Sequence, residues 1–233
     1  MILSIETGGE ICSVALSKDG ELISLRESDE GRNHARDLAL FISEIFKENS
    51  IEESDLDAIA ISKGPGSYTG LRIGVSVAKG ICYAAKKPLI SIGSLESLAA
   101  SAIDDIEAGI VGIDSIEDAI LCPMIDARRM EVYEQLFDEN GVAITEAKAH
   151  IITYDSFKDC KLKSKFIIFG SGAEKCLSTL LVDGLQYINT VQSARGMVKL
   201  AHKLFDEGKF EDVAYFEPLY LKEFTAAAPK KLL

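Results

Sequence analysis

The chain has 233 residues, 47% of them hydrophobic, and its 37 acidic and 25 basic side chains give a formal net charge of −12. This length accommodates one large domain or two small lobes with a real core. The charge argues against a self-sufficient nucleic-acid binder, which needs a basic face to displace counterions, and no apolar stretch is long enough to span a bilayer.

In chain order, Ile2–Ile5 reads as a short buried strand. Cys12, Val14 and Leu16 alternate with Ser13, Ala15 and Ser17, the period of a strand. The Asp19-Gly20 turn then leads to a third strand over Glu21–Arg26, so the pair reads as a hairpin. Leu38, Phe41, Ile42, Ile45 and Phe46 recur at helical spacing, with Arg36, Asp37, Glu44 and Lys47 off that face. Ala58–Ser62 is a buried strand, Gly64-Pro65-Gly66 turns the chain, and Gly70–Ala85 is an apolar helix. The first half therefore reads β-β-β-α-β-α.

The second half repeats that order. Leu121–Ile125 is strand-like, and Val132, Glu134 and Leu136 alternate with Tyr133, Gln135 and Phe137. The Glu139-Asn140-Gly141 turn leads to a third strand near Val142–Ala147, and a weak helix is expected over Thr153–Lys158. Lys165–Phe169 is a buried strand, followed by Gly170-Ser171-Gly172 and a helix from Ala173. Ala102–Asp118 is acidic and mixed, a poor core segment, which places the lobe boundary near residues 100–115 and divides the chain into lobes 1–105 and 106–233. A last helix over Ser193–Asp206 and the tail beyond it are candidates to pack back on the first lobe, and Ala226–Lys231 reads as loosely ordered.

Strand, glycine turn and helix N-terminus over residues 61–80 form an arrangement that aims backbone N–H groups at an anion. The Gly-Lys-Ser/Thr ending of a Walker loop is absent, and a plain strand-to-helix turn is the alternative. Acids and glycines correspond between the halves: Glu6 with Asp126, and Gly64-Pro65-Gly66 with Gly170-Ser171-Gly172. The expected fold is thus α/β with duplicated β-β-β-α-β-α lobes facing a cleft, resembling the two-lobed actin, Hsp70 and sugar-kinase (ASKHA) superfamily. Candidate residues of a degenerate nucleotide cleft are Glu6, Thr7, Gly8, Gly64, Gly66, Ser67, Asp126 and Gly170. Glu6 and Asp126 would be the acids around a metal-bound water in a kinase-like member.

Leu71, Ile73, Val75, Val77, Ala78, Ile81, Cys82 and Ala85 go nearly all round the second helix, so it should be covered on most sides. A partner interface is expected from Leu38, Phe41, Ile42, Ile45, Val75 and Ala78, flanked by Arg72 and Lys79 on one helix face; burial wholly within the lobe is the alternative. Cys12, Cys82, Cys122, Cys160 and Cys176 lack the spacing of a zinc or redox site and read as reduced thiols. Met1 opens directly into a strand, so the expected compartment is the cytoplasm. His34, His150 and His202 are scattered, and neither His-Glu-x-x-His nor Gly-x-Ser-x-Gly occurs, so no metal and no catalytic residue is assigned.

Four strings appear together: Ile2-Leu3-Ser4-Ile5-Glu6-Thr7, the run from Gly64 to Gly74, Ile125-Asp126-Ala127-Arg128-Arg129-Met130-Glu131-Val132-Tyr133, and Pro218-Leu219-Tyr220-Leu221-Lys222. With them the chain resembles the TsaB (YeaZ) family over essentially its whole length. The resemblance implies a role in making N6-threonylcarbamoyladenosine in tRNA, as a non-catalytic partner that scaffolds TsaD and docks TsaE. It further implies a homodimer when TsaD is absent, and tRNA reached only through the complex. No cofactor of its own is implied, with ATP or ADP only at a partner-shared site. Older labels for the family read glycoprotease-like or M22 peptidase homologue. TsaD carries a His-x-x-x-His pair; Ser94 and Leu98 stand at the matching positions here, leucine cannot ligate a metal, and Ser94 reads as a helix cap. The rival functions are a self-sufficient nucleotide phosphotransferase or hydrolase using Glu6 and Asp126 and, more weakly, a peptidase.

Overall fold

In the computed structural model, which describes residues 1–28, 33–158 and 165–222, the apolar and alternating runs of the first half pair into one mixed sheet. Its strands are β1 (Ile2–Glu6), β2 (Ser13–Lys18), β3 (Glu21–Glu27), β4 (Ala58–Gly64) and β5 (Leu89–Gly93). They lie in the order β3-β2-β1-β4-β5, with β1 antiparallel to β2 and parallel to β4. Asp19 and Gly20 take φ values of 53° and 81°, the positive-φ pair that matches the twist of a two-residue hairpin.

The second sheet follows the same path strand for strand. Its members are β6 (Ala119–Asp126), β7 (Glu131–Glu134), β8 (Lys148–Ile151), β9 (Lys165–Phe169) and β10 (Leu185–Ile188), in the order β10-β9-β6-β7-β8. Here β6 is antiparallel to β7 and parallel to β9, as β1 is to β2 and β4.

The duplication holds for the sheets and fails for the helices. The first half carries α1 (His34–Asn49) and α2 (Tyr68–Ala85). In the second half the helix expected over Thr153–Lys158 is a series of turns, and the one expected from Ala173 shrinks to a short 3₁₀ turn at Glu174–Cys176. A segment this short cannot overcome the cost of helix nucleation without an amphipathic stripe; it buries Phe157 instead, at φ 69°. The third strand starts at Lys148 rather than Val142, because residues 142–145 fold back on Leu136 and Phe137, with Ile144 N–H bonded to Leu136 O at 2.7 Å.

Helices α1 and α2 cover one face of the first sheet, burying Leu38, Ile45, Val75 and Ala78 on Leu3, Ile5, Val14 and Ile61. The opposite face receives α4 (Val198–Asp206), through Met197, Val198 and Ala201 against Ile2, Ala15 and Ile92. Helix α3 (Ser94–Glu107) leaves the first sheet at β5, yet buries Leu95, Leu98, Ala102 and Ile106 against Leu121, Ile167 and Phe169 of the second. The sheets thus exchange covering helices. Ala102–Asp118, expected to be poor in core residues, contributes Ala102, Ile106 and Ile113 to that core. Its acidity is accommodated: buried Asp105 pairs with Arg195 at 2.8 Å and accepts a hydrogen bond from Thr190 Oγ1 at 2.9 Å.

Cys12, Cys82, Cys122 and Cys176 are buried and not in disulfides, and burial pushes the Cys12 and Cys82 thiols up to about 12, where they stay protonated. Cys160 and the tail from Ala226 to Lys231 lie outside the described residues. Among the described residues no helix is long and apolar enough to cross a membrane.

Candidate functional site

Because β1 and β4 are parallel neighbours, both end at the same sheet edge and their loops meet there. Ser67 N–H donates to Gly8 O at 2.7 Å, and Ser67 Oγ caps α2 by accepting from Gly70 N–H at 3.2 Å. The glycines make this approach feasible: a Cβ at Gly66 would sit 2.4 Å from Gly8 O, and one at Gly70 would sit 2.0 Å from Thr7 O. The glycine turn therefore grips the protein's own β1–β2 loop, and the Ser67 N–H that was a candidate for an anion is already bonded.

Glu6 lies beneath that loop, fully buried. Its Oε1 accepts from Gly8 N–H at 2.6 Å, while Oε2 has no partner among the described residues. Burial pushes this carboxyl up to about 7, opposed by the Gly8 N–H. Ser94 is not a cap: the N-cap position of α3 is Gly93, and the buried Ser94 hydroxyl bonds Ser62 Oγ at 2.6 Å.

The corresponding edge of the second sheet carries Asp126, at the end of β6. Asp126 Oδ1 accepts from Arg128 N–H at 2.9 Å and is paired with Lys175. The same ammonium donates to Arg129 O at 2.7 Å and Glu131 O at 2.8 Å. This clamp holds Arg128 and Arg129 at φ 73° and 48°, a left-handed conformation that costs roughly 1 kcal/mol or more per residue. Asp126, a candidate cleft acid, is thus also the centre of a structural turn.

Between the two edges lies a cleft of about 650 Å³, whose lining includes Gly8, Ser67, Thr69, Asp126, Arg128 and Tyr220. A neighbouring cavity of about 230 Å³ is lined by Gly170, Glu174 and Gln192 among others. Of the cleft candidates, Gly8, Gly66, Ser67 and Asp126 face the larger space and Gly170 the smaller, while Glu6, Thr7 and Gly64 lie behind the walls. Among the described residues no group of three or more His, Cys, Asp or Glu side chains is placed to hold a metal.

The tail after α4 packs back on the first lobe, as expected of it, and there it forms a wall of the cleft that the sequence did not mark. Residues 219–222 line it, and the segment leading to them runs along α2. Leu219 N–H donates to Lys63 O at 2.7 Å. Lys79 Nζ donates to Ala214 O at 3.0 Å and Phe216 O at 3.1 Å. The Arg72 guanidinium lies 4.0 Å from the centre of the Tyr68 ring, and its Nε bonds Tyr220 OH at 3.1 Å. The Pro218–Lys222 string has no periodicity that would mark it as a wall.

The partner-face candidates divide. Leu38, Ile45, Val75 and Ala78 are core residues, not surface ones. Periodicity selects the stripe that faces the sheet, which is the most apolar one, and so it cannot mark an outer face. Phe41 and Ile42 are half-buried; the outer surface presents Leu40 on α1 and Arg72, Ser76, Gly80 and Tyr83 on α2, with Tyr83 85% exposed.

Two sheets of identical topology, with paired strand-end loops facing across a cleft, define a two-lobed α/β protein of the ASKHA type. The family model described as TsaD, tRNA N6-adenosine threonylcarbamoyltransferase, matches residues 28–163. The tRNA threonylcarbamoyladenosine biosynthesis protein TsaB of Escherichia coli (strain K12) is 30% identical over 97% of this chain and 96% of its own. TsaB of Haemophilus influenzae is 33% identical over 57% of this chain and 51% of its own. YeaZ from Pseudomonas aeruginosa shares the fold, with a TM-score of 0.77 over 94% of this chain and 99% of its own at 22% identity. The chain belongs to the TsaB family.

Proposed function

We propose that this chain is the TsaB-like subunit of the machinery that forms N6-threonylcarbamoyladenosine in tRNA, and that it scaffolds TsaD and offers TsaE a docking place without carrying out the transfer. The match to a TsaB protein along nearly the whole chain carries this reading. The state of the cleft acids supports a non-catalytic role: Glu6 is sealed beneath Gly8, and Asp126 is paired with Lys175. ATP or ADP would enter only at a site that a partner completes, since the glycine turn is closed on the β1–β2 loop. In this reading tRNA is reached through the complex, the compartment is the cytoplasm, and the same helical face makes a homodimer when TsaD is absent.

The docking face is the outer side of α1 and α2. Val75→Glu is unsuitable as a probe, because Val75 is a core residue. Leu40→Glu and Tyr83→Glu alter exposed positions instead. Light scattering after size-exclusion chromatography, with TsaD from the same organism, is the test. The wild-type chain should form a mixed complex that either variant loses while keeping its melting temperature. A complex that survives both variants would place the interface elsewhere, and no complex at all would remove the scaffold role.

A further inference from the structure

We infer that residues 213–222 are a hinged tie across the interlobe cleft, anchored on α2 and latched to the second lobe by the Lys222–Glu131 ion pair. The anchored end is held many times over. Val213 and Phe216 pack on the first core, Lys79 holds two carbonyls, and Leu219 N–H is bonded to Lys63 O at 2.7 Å. Gly64 makes room for it: a Cβ there would lie 2.8 Å from Leu219 O, and its φ is 105°. Tyr220 closes the anchor, its ring 5.0 Å from that of Tyr68 and its hydroxyl on Arg72.

The far end is held differently. Lys222 Nζ reaches Glu131 Oε2 at 2.5 Å, with the two side chains 44% and 20% exposed. Glu131 begins β7 in the second sheet, whereas every anchor contact lies on the first lobe. The tie therefore spans the cleft mouth and ends in a solvent-exposed ion pair, a contact that biases a two-state equilibrium by only about two- to fivefold and weakens with salt. Leu219, Tyr220, Leu221 and Lys222 all line the cleft, and of these only Leu221 and Lys222 lie beyond the last anchor contact. Release of the latch frees residues 221–222 from the second lobe and opens that end of the cleft without disturbing the anchor on α2.

Amide hydrogen exchange read by mass spectrometry tests this on the full chain, comparing wild type with Lys222→Glu, Glu131→Lys and the double charge swap. Each single variant, and wild type in about 1 M NaCl, should speed exchange across 221–222 and the facing loop at 126–131 about two- to fivefold, with 213–220 unchanged. The double swap should restore the wild-type pattern. All three variants change partly exposed side chains, and an unchanged melting temperature confirms that the fold is intact. Unchanged exchange in the single variants overturns the latch. Loosening of 213–222 as one unit overturns the hinge, and failure of the double swap to restore protection overturns the assignment to this ion pair.

Discussion

Glu6 shows how one side chain can be legible in type and misread in place. An acid at the end of the first strand suggested cleft chemistry, but the pleat and the loop above turn it inward, where its carboxyl titrates at about 7. A group that binds its proton more tightly folded than unfolded makes stability fall as pH rises from its ordinary value of 4.5 to about 7. Glu6→Gln should therefore stabilise the protein by roughly 3 kcal/mol near pH 8 and by almost nothing near pH 4; urea unfolding at the two pH values measures the difference. The glycines divide in the same way. Gly66→Ala forces a Cβ against the Gly8 backbone and should cost roughly 3 kcal/mol. Gly80→Ala, in the open on α2, should gain up to about 1 kcal/mol from helix propensity. Thermal melts of the pair check whether position or residue type decides.

Among the elements, legibility followed the length of the period. Helix α1, with its repeating apolar stripe, and the alternating strand β2 were readable from spacing, and β3 from the Asp19-Gly20 turn before it. The helices expected over Thr153–Lys158 and from Ala173 rest on short segments without a stripe, which could not sustain them. Helix α3 was implied only by the family resemblance, with Ser94 near its start, and nothing marked it as a cover for the second sheet, since a helical stripe does not say which sheet it meets. Leu98→Ala should cost about 2–5 kcal/mol by opening a cavity in the second lobe's core. Guanidinium unfolding should show that loss. In the loop between β6 and β7, Lys175→Met should release Asp126 and both left-handed arginines. Faster amide exchange across 126–131 with little change in global stability is the expected outcome, because the clamp is exposed and local.

For the molecule as a whole, the contact of α3 with the segment before α4 joins the lobes. A Cβ at Gly196 would come 2.1 Å from Ser97 O, and Arg195 pairs with buried Asp105. Arg195→Ala leaves that carboxylate without its counter-ion and should cost about 3 kcal/mol. Fluorescence and circular dichroism should still report one transition, because each sheet depends on a helix from the other half of the chain. By itself the sequence determined the first four strands of the first half and the first, second and fourth of the second half, the positions of the hairpin and glycine turns, and the family, since these follow from local periodicity, turn chemistry and contiguous strings. Tertiary structure alone decided which helix covers which sheet, that Glu6 is sealed and Asp126 clamped, and that residues 213–222 wall the cleft. Those outcomes depend on contacts between distant segments, whose free energy comes from shape and burial that no local pattern encodes.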